Sequence, residues 1–506
     1  MKQIVKVAAP LIFIAVLFYF PLSSIFVRGF SLESFSYLAR PSALGTIWFT
    51  LWQAAFSTLL AVAVGTVFAY LLYRKSFAGQ RFLRSVLTIP FVLPVIVIAI
   101  AFSTFQIRNT SSNSIALIIA AHVFIDASIT TRTLGSAWLS LGTELEDAAA
   151  LDGAGRFKTF WSVTAPTLGT TFAAAAALTF AYTVSSFGVV LLVGGGVLNS
   201  IETSIYQQVF TYLNLSQATT LGLVQICITA VTFWVISRVS NQHLELGAVN
   251  QTSVQRIDKR DLPVVLGGIA LAVCYVLPIW NVLARAFSLN FDLFGLDYGP
   301  LLNSLRNSLL VVFACAGLGL WVSHTLARSK TTWLLRALEF SYLLPLGISS
   351  VLLGLGYLLA FSSGPLPLRS SWLVVPIAET LLALPLVVRI CMSALRSIDP
   401  ELLEAAQLDG ATGFVSFRFI ELPLTMASVK VALGFAAIIA VGDFGASSFL
   451  VFADQETVSM QLYRLFSHPG IENYSSALTL SAVLIALTVL VLGVTSFPSS
   501  GLRIRR

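Results

Sequence analysis

The stretch from Asp399 to Pro423, DPELLEAAQLDGATGFVSFRFIELP, decides the fold because the chain contains it twice. The other copy runs from Gly142 to Pro166 and reads GTELEDAAALDGAGRFKTFWSVTAP. Laid on one another, the copies pair Ala148 with Ala405, Asp152 with Asp409, Gly153 with Gly410 and Pro166 with Pro423, a constant offset of 257 residues (423 − 166). The same offset pairs Arg132 with Arg389, Phe187-Gly188 with Phe444-Gly445 and Tyr206 with Tyr463, without a gap. An ordinary interhelical loop has no reason to recur in this way. The chain carries a duplicated unit.

Each copy is a polar island between long apolar runs. Thr143 can cap a short helix with Glu146 three residues on, the spacing of a capping box. In the second copy Asp399 can cap a helix with Pro400 at its first position. Both helices run through Ala-Ala and meet Asp-Gly, where glycine can take the left-handed conformation that ends a helix. A second amphipathic piece follows, with Phe157 and Phe160 or Phe414 and Phe417, and a proline opens the next apolar run. The pattern predicts a helix–turn–helix at the membrane surface.

The second copy resembles a known loop. Glu404-Ala405-Ala406, three residues, Gly410, nine residues, Ile420, one residue and Leu422-Pro423 is similar to the EAA loop of ATP-binding-cassette importer permeases of the type I fold. The first copy is looser, with Asp147 for the glutamate, then Ala148, Ala149, Asp152 and Gly153, and with Val163 and Ala165 before Pro166. The resemblance implies an all-α membrane protein whose two loops couple to two copies of a cytoplasmic ATPase. It also implies an extracytoplasmic binding protein that delivers a small solute. Among fused, double-length permeases, Val193–Phe210 and Gly442–Leu450 are similar to those for thiamine and ferric iron, and the two are not separable here.

Composition agrees with a membrane protein. The chain of 506 residues is 57% hydrophobic and 10% charged, with mean hydropathy +0.87. Apolar runs of spanning length begin near Val7, Leu44, Ser85, Ser114, Leu168 and Gln217, and again near Leu262, Leu301, Trp333, Ser371, Met426 and Tyr474. Twelve spans thus split six and six, as a first half at 1–240 with its loop at 142–166 and a second at 262–506 with its loop at 399–423. The polar stretch 241–261 links them. Lysine and arginine gather in the loops holding Arg74, Lys75, Arg81 and Arg84, the linker, the loop with Arg328, Lys330 and Arg336, and the tail. Gly194 to Ser216 has neither. The positive-inside rule puts both termini and both duplicated loops in the cytoplasm, and a bacterial cytoplasmic membrane suits that arrangement.

Prolines at Pro90, Pro94, Pro345, Pro376 and Pro385 are expected to interrupt their spans. His122, Asp126, Glu379 and Asp443 fall at membrane depth, where an ionisable group either lines a translocation path or bonds neighbouring helices. Arg132 and Arg389 sit near span ends, where arginine snorkels. The four cysteines are scattered in apolar runs without metal-ligand spacing, so neither a disulfide framework nor a metal site is expected. No GxxxxGK[ST] phosphate loop and no catalytic constellation stands in the chain. No cofactor is therefore expected on it, and ATP belongs to a partner subunit. A secondary transporter with six plus six spans is the rival reading, against which the loop YRKSFAGQRFLRS lacks any acidic residue. A membrane-embedded enzyme is the third, and would need clustered polar catalytic groups.

Overall fold

The structure is a computed structural model that describes residues 2–29, 36–77, 79–106, 111–141, 144–240, 255–256, 262–289, 291–329, 332–362 and 371–496. Described residues are helical almost throughout. The exception is a parallel pair of two-residue strands, Lys75–Ser76 with Gln255–Arg256, which ties the linker to the loop after the second span.

All twelve expected runs are present as helix, but not all as single rods. Nine helices among the described residues are long and apolar enough to cross a bilayer, from Val7–Arg28 to Ile471–Thr495. Two further runs are bent pairs: Phe82–Val92 with Val95–Ser103 at 97°, and Phe157–Thr167 with Gly169–Val184 at 74°. The twelfth, from Trp333, divides into Trp333–Leu343, a 3-10 turn at Leu344–Gly347, and Ser350–Phe361.

The breaks follow proline chemistry in two of these cases. Leu93, ahead of Pro94, is forced out of the helical region to ψ 142°. Pro345 sits in the 3-10 turn, and the next helix restarts with Ser349 accepting from Leu352 N at 3.1 Å. Two other prolines do not break their helix. Val374–Arg396 runs unbroken through Pro376 and Pro385. Pro376 lies in the first turn, where no N–H is required, and Pro385 is absorbed inside the rod.

Packing groups the chain into two compact units, Gly29–Phe291 on the one hand and Met1–Arg28 with Asp292–Arg506 on the other. Each unit therefore takes its first apolar helix from the other repeat. In the unit with Met1–Arg28, Tyr342 donates to Pro10 O at 3.1 Å, and Gly356 lies so close to Pro21 that a Cβ there would sit 2.9 Å from its carbonyl oxygen. In Gly29–Phe291, the helix Leu262–Ser288 brings Tyr275 to Ser128 at 2.8 Å and Asn281 to Thr104 at 2.6 Å. The five remaining helices of each unit repeat small details. Thr50 Oγ1 accepts from Ile201 N at 2.9 Å, and Ser304 Oγ from Val458 N at 2.9 Å.

Small residues let the helices approach. Gly65, on Pro41–Ala69, faces Thr130 on Ser111–Ser140, and a Cβ on it would meet Thr130 Oγ1 at 1.9 Å. Thr130 Oγ1 is also 3.0 Å from Ala61 O, which locks the crossing. Gly65→Leu should lower stability by about 1–3 kcal/mol through overpacking. Gly45→Leu, on the same helix with nothing within 4 Å, should leave stability unchanged or raise it. Thermal midpoints of the two variants in detergent check this, and equal midpoints would refute the close crossing.

Candidate functional site in the duplicated loop

The first loop folds as a helix at Glu144–Leu151, then Arg156–Thr159, a wider π turn at Phe160–Thr164, and Ala165–Thr167. The second folds as Pro400–Leu408, Gly413–Ser416 and a π turn at Phe417–Glu421, running straight into the helix Leu422–Gly442. Asp399 caps its helix as expected, Oδ1 accepting from Glu401 N at 3.0 Å. Thr143 lies outside the described residues, and the Glu146 carboxylate is engaged in contacts away from the helix start.

The two helices end identically. Gly153 N donates to Ala150 O and Ala154 N to Ala149 O, each at 3.0 Å. Gly410 N donates to Gln407 O at 3.0 Å and Ala411 N to Ala406 O at 2.9 Å. This is the Schellman arrangement, and it places Gly153 at φ 81° and Gly410 at φ 83°. No heavy atom lies within 4 Å of a Cβ built on either glycine, so backbone conformation alone demands glycine here.

Burial separates the faces of the motif. Ala406 is buried and Ala149 half-buried, facing the bundle, whereas Asp147, Ala148, Asp152, Glu404, Ala405 and Asp409 are exposed. Ile420 and Leu422 are half-buried, and Pro166 and Pro423 exposed, where the loop rejoins a long helix. The structure adds residues outside the motif. Leu145 and Leu402 are 58% and 52% exposed, Leu151 and Leu408 89% and 90%, and Phe157 and Phe414 80% and 74%. Each pair obeys the 257-residue offset. Three large apolar side chains thus stand in the open at the same places in both loops, which a lone membrane protein has no reason to repeat.

An ion pair ties each loop to the end of the second span of its half. Arg74, only 2% exposed, bonds Glu146 and donates to Leu141 O at 3.2 Å. Glu146 also accepts from Trp138 Nε1 at 3.3 Å and Thr164 Oγ1 at 3.0 Å. In the other half Arg328 Nε donates to Glu421 Oε2 at 2.9 Å and its Nη2 to Leu395 O at 2.8 Å. His324 Nε2 stands 3.6 Å from the same carboxylate. Glu421 occupies the position equivalent to Thr164, so the two carboxylates reach matching arginines from opposite ends of the loop. Reading residue types could not pair them, because Glu146 and Glu421 do not share the repeat offset.

The four ionisable residues at membrane depth fall two to each unit. His122 Nε2 is 2.7 Å from Ser186 Oγ, and Asp126 Oδ2 accepts from Thr183 Oγ1 at 2.8 Å. Both are in Gly29–Phe291, while Glu379 and Asp443 are in the other unit. Asp443 accepts from Ser447 N at 2.8 Å and Ser447 Oγ at 3.0 Å; Glu379 is 1% exposed. Among the described residues no three His, Cys, Asp or Glu side chains form a metal-binding group.

Comparison with known proteins places this loop in context. The family described as "Binding-protein-dependent transport system inner membrane component" matches residues 61–282 and 316–499. The chain is 27% identical over 450 residues to the thiamine transport system permease protein ThiP of Escherichia coli K12, covering 82% of each chain. It is 26% identical over 469 residues to the probable ABC transporter permease protein y4fN of Sinorhizobium fredii, covering 83% of this chain and 81% of that one. It is 24% identical over 447 residues to the ferric transport system permease protein FbpB of Actinobacillus pleuropneumoniae, covering 79% of this chain and 63% of that one. With two matches that together span most of its length, a duplicated loop and at least nine membrane-length helices, the chain belongs to the family of binding-protein-dependent inner membrane transport components and is a double-length, multi-pass permease.

Proposed function

We propose that this permease supplies both membrane halves of one importer, 1–240 and 262–506 joined by the linker 241–261. Two copies of a separate cytoplasmic ATPase dock on the two loops, and a binding protein delivers the solute from outside. ATP is bound and hydrolysed on the partner, and this chain carries no cofactor of its own. The membrane is a bacterial cytoplasmic membrane with both termini inside, which the lysine and arginine distribution supports. The solute is thiamine or ferric iron, the two named for relatives that match this chain over 82% and 79% of its length.

The observation that carries the reading is the matched surface of the loops: a short helix ended by a positive-φ glycine and flanked by three exposed apolar side chains, twice. Burying one such leucine or phenylalanine against a partner is worth about 1.5–3 kcal/mol before association costs. Closure of the ATPase pair then moves both loops. Each helix is held to its bundle, so the movement passes to the halves as rigid-body rocking that exposes the path alternately.

Gly410→Asp places a side chain at φ 83°, at a cost of about 1 kcal/mol or more, and adds charge to the docking face. Transport and ATPase association should be lost while the permease still inserts in the membrane. Gly153→Asp should do the same less completely, since its copy departs further from the motif. Co-purification of the ATPase with each variant, beside membrane-fraction levels, is the measurement; normal association and uptake by Gly410→Asp would remove the basis of this proposal.

Orientation is tested by single cysteines in a background lacking the native four. Lys158→Cys and Val415→Cys, both at exposed positions, should resist an impermeant thiol reagent applied to intact cells. Val197→Cys, 73% exposed, should label readily. The reverse pattern inverts the topology.

The anchors give a third expectation. Glu146 sits on the loop helix itself, whereas Glu421 lies beyond the turn. Glu146→Ala should therefore raise amide exchange across Glu144–Leu151 at least tenfold. Glu421→Ala should leave exchange across Pro400–Leu408 nearly unchanged. Equal responses in a hydrogen-exchange experiment would show that the two anchors do the same job.

A further inference from the structure

The ionisable residues at membrane depth contain one duplicated pair of positions. His122 and Glu379 are related by the 257-residue offset, and so are Ser186 and Asp443. In Gly29–Phe291 the pair is closed by a contact of 2.7 Å between His122 Nε2 and Ser186 Oγ. In the other unit the same two positions both hold carboxyl groups.

Those carboxyl groups are treated unequally. Asp443 stands where the helix Leu422–Gly442 stops, and it accepts from Ser447 N at 2.8 Å, Ser447 Oγ at 3.0 Å and Ala446 N at 3.4 Å. Glu379, 1% exposed, has no hydrogen-bond partner for either carboxyl oxygen among the described residues. Glu379 lies on Val374–Arg396, which packs on the helix Leu422–Gly442 that ends at Asp443, and no ion pair among the described residues includes either group. Glu379 sits on the unbroken helix Val374–Arg396, but the backbone at Asp443 is broken and tightly packed: a Cβ on Gly445 would sit 1.9 Å from Ser350 Oγ, at the start of Ser350–Phe361. Irregular backbone at membrane depth is tolerated where protein or a cavity satisfies it, and broken helices are where transporters bind ions.

A buried carboxyl group without donors is costly, and the other repeat avoids the cost by bonding histidine to serine. We propose that Glu379, backed by Asp443, receives one positive charge carried by the transported solute as it passes through the permease. This rests on the importer reading above and adds to it a solute class, a cation, and a residue that touches it. Asp443 is the positioning partner. The donors around it keep its carboxylate fixed beside Glu379, while Glu379 stays free to bond an incoming cationic group.

The test uses the full complex with its ATPase and binding protein in proteoliposomes, and thiamine and ferric ion as probes. Glu379→Gln keeps shape and hydrogen-bonding capacity but removes the charge. It should reduce uptake at least tenfold, with membrane level and binding-protein affinity for the solute unchanged. Asp443→Asn should reduce uptake less. Because the charge it removes has no partner in the resting protein, Glu379→Gln should also melt at or above the wild-type temperature. Unchanged uptake by Glu379→Gln overturns the proposal, since a permanently protonated group would behave that way. Loss of folded protein, or a lower melting temperature, overturns it too, because the carboxyl would then be structural. Wild-type uptake should not change when sodium is replaced and the proton gradient collapsed. Dependence on either assigns the charge to an inorganic coupling ion and overturns the claim. If the wild-type complex carries neither probe, the solute assignment of the preceding section fails, and the melting comparison alone decides the site.

Discussion

The attachment of the duplicated loops depends on the guanidinium groups of Arg74 and Arg328. A helix of eight or nine residues is too short to persist in water by its own hydrogen bonds, because the cost of nucleation is spread over too few turns. Packing helps little here, since no residue of Glu144–Leu151 is buried and only Ala406 of Pro400–Leu408 is. For Glu144–Leu151 what remains is the anchor on Glu146, whereas Pro400–Leu408 has its Asp399 cap and its loop is anchored further along, at Glu421. Each arginine takes a main-chain carbonyl, Leu141 O or Leu395 O, together with one carboxylate. A buried pair of this kind adds little net stability over an apolar replacement, but breaking it by removing one partner is expensive. Geometry, more than stability, is what such a pair secures.

The repeat made a large part of the fold legible from residues alone. A constant offset located both loops and the glycines that need positive φ, and the length of the apolar runs located twelve helical runs that the structure contains. Local chemistry was readable wherever the decisive contacts lie within a few residues, as with Asp399 and Glu401 or Gly410 and Gln407. It failed where the decisive contact is remote. Tyr342 reaches Pro10 across 332 positions, so the exchange of first helices between repeats leaves no local trace. Pro385 shows the opposite limit: a residue with a strong local preference is overridden by the long rod in which it sits.

The candidate site was legible in its motif and illegible in its anchors. Gly153, Gly410 and the alanines stand at fixed spacing, and spacing can be read. Arg74 and Arg328 looked like loop charges, the kind counted for orientation, because their carboxylates arrive from different places. The exposed leucines were hidden for another reason. In a chain that is 57% hydrophobic, one more leucine carries no signal until the structure shows it standing outside the apolar mass.

Where the halves agree and where they differ follows a physical division. They agree at the exposed apolar surface of the loops: Leu151 with Leu408, Phe157 with Phe414, and the same helix end. They agree in the scaffold, where Phe187 and Tyr206 stand 5.4 Å apart and Phe444 and Tyr463 also 5.4 Å. They differ among buried and half-buried polar groups, with His122 and Ser186 against Glu379 and Asp443, and Thr164 against Glu421. Two identical membrane subunits would be forced to carry the same side chain at every such position. A chain that contains both halves is free of that constraint. It can keep the exposed faces of the loops alike and still set Glu379 and Asp443 in one unit at the positions where the other has His122 and Ser186.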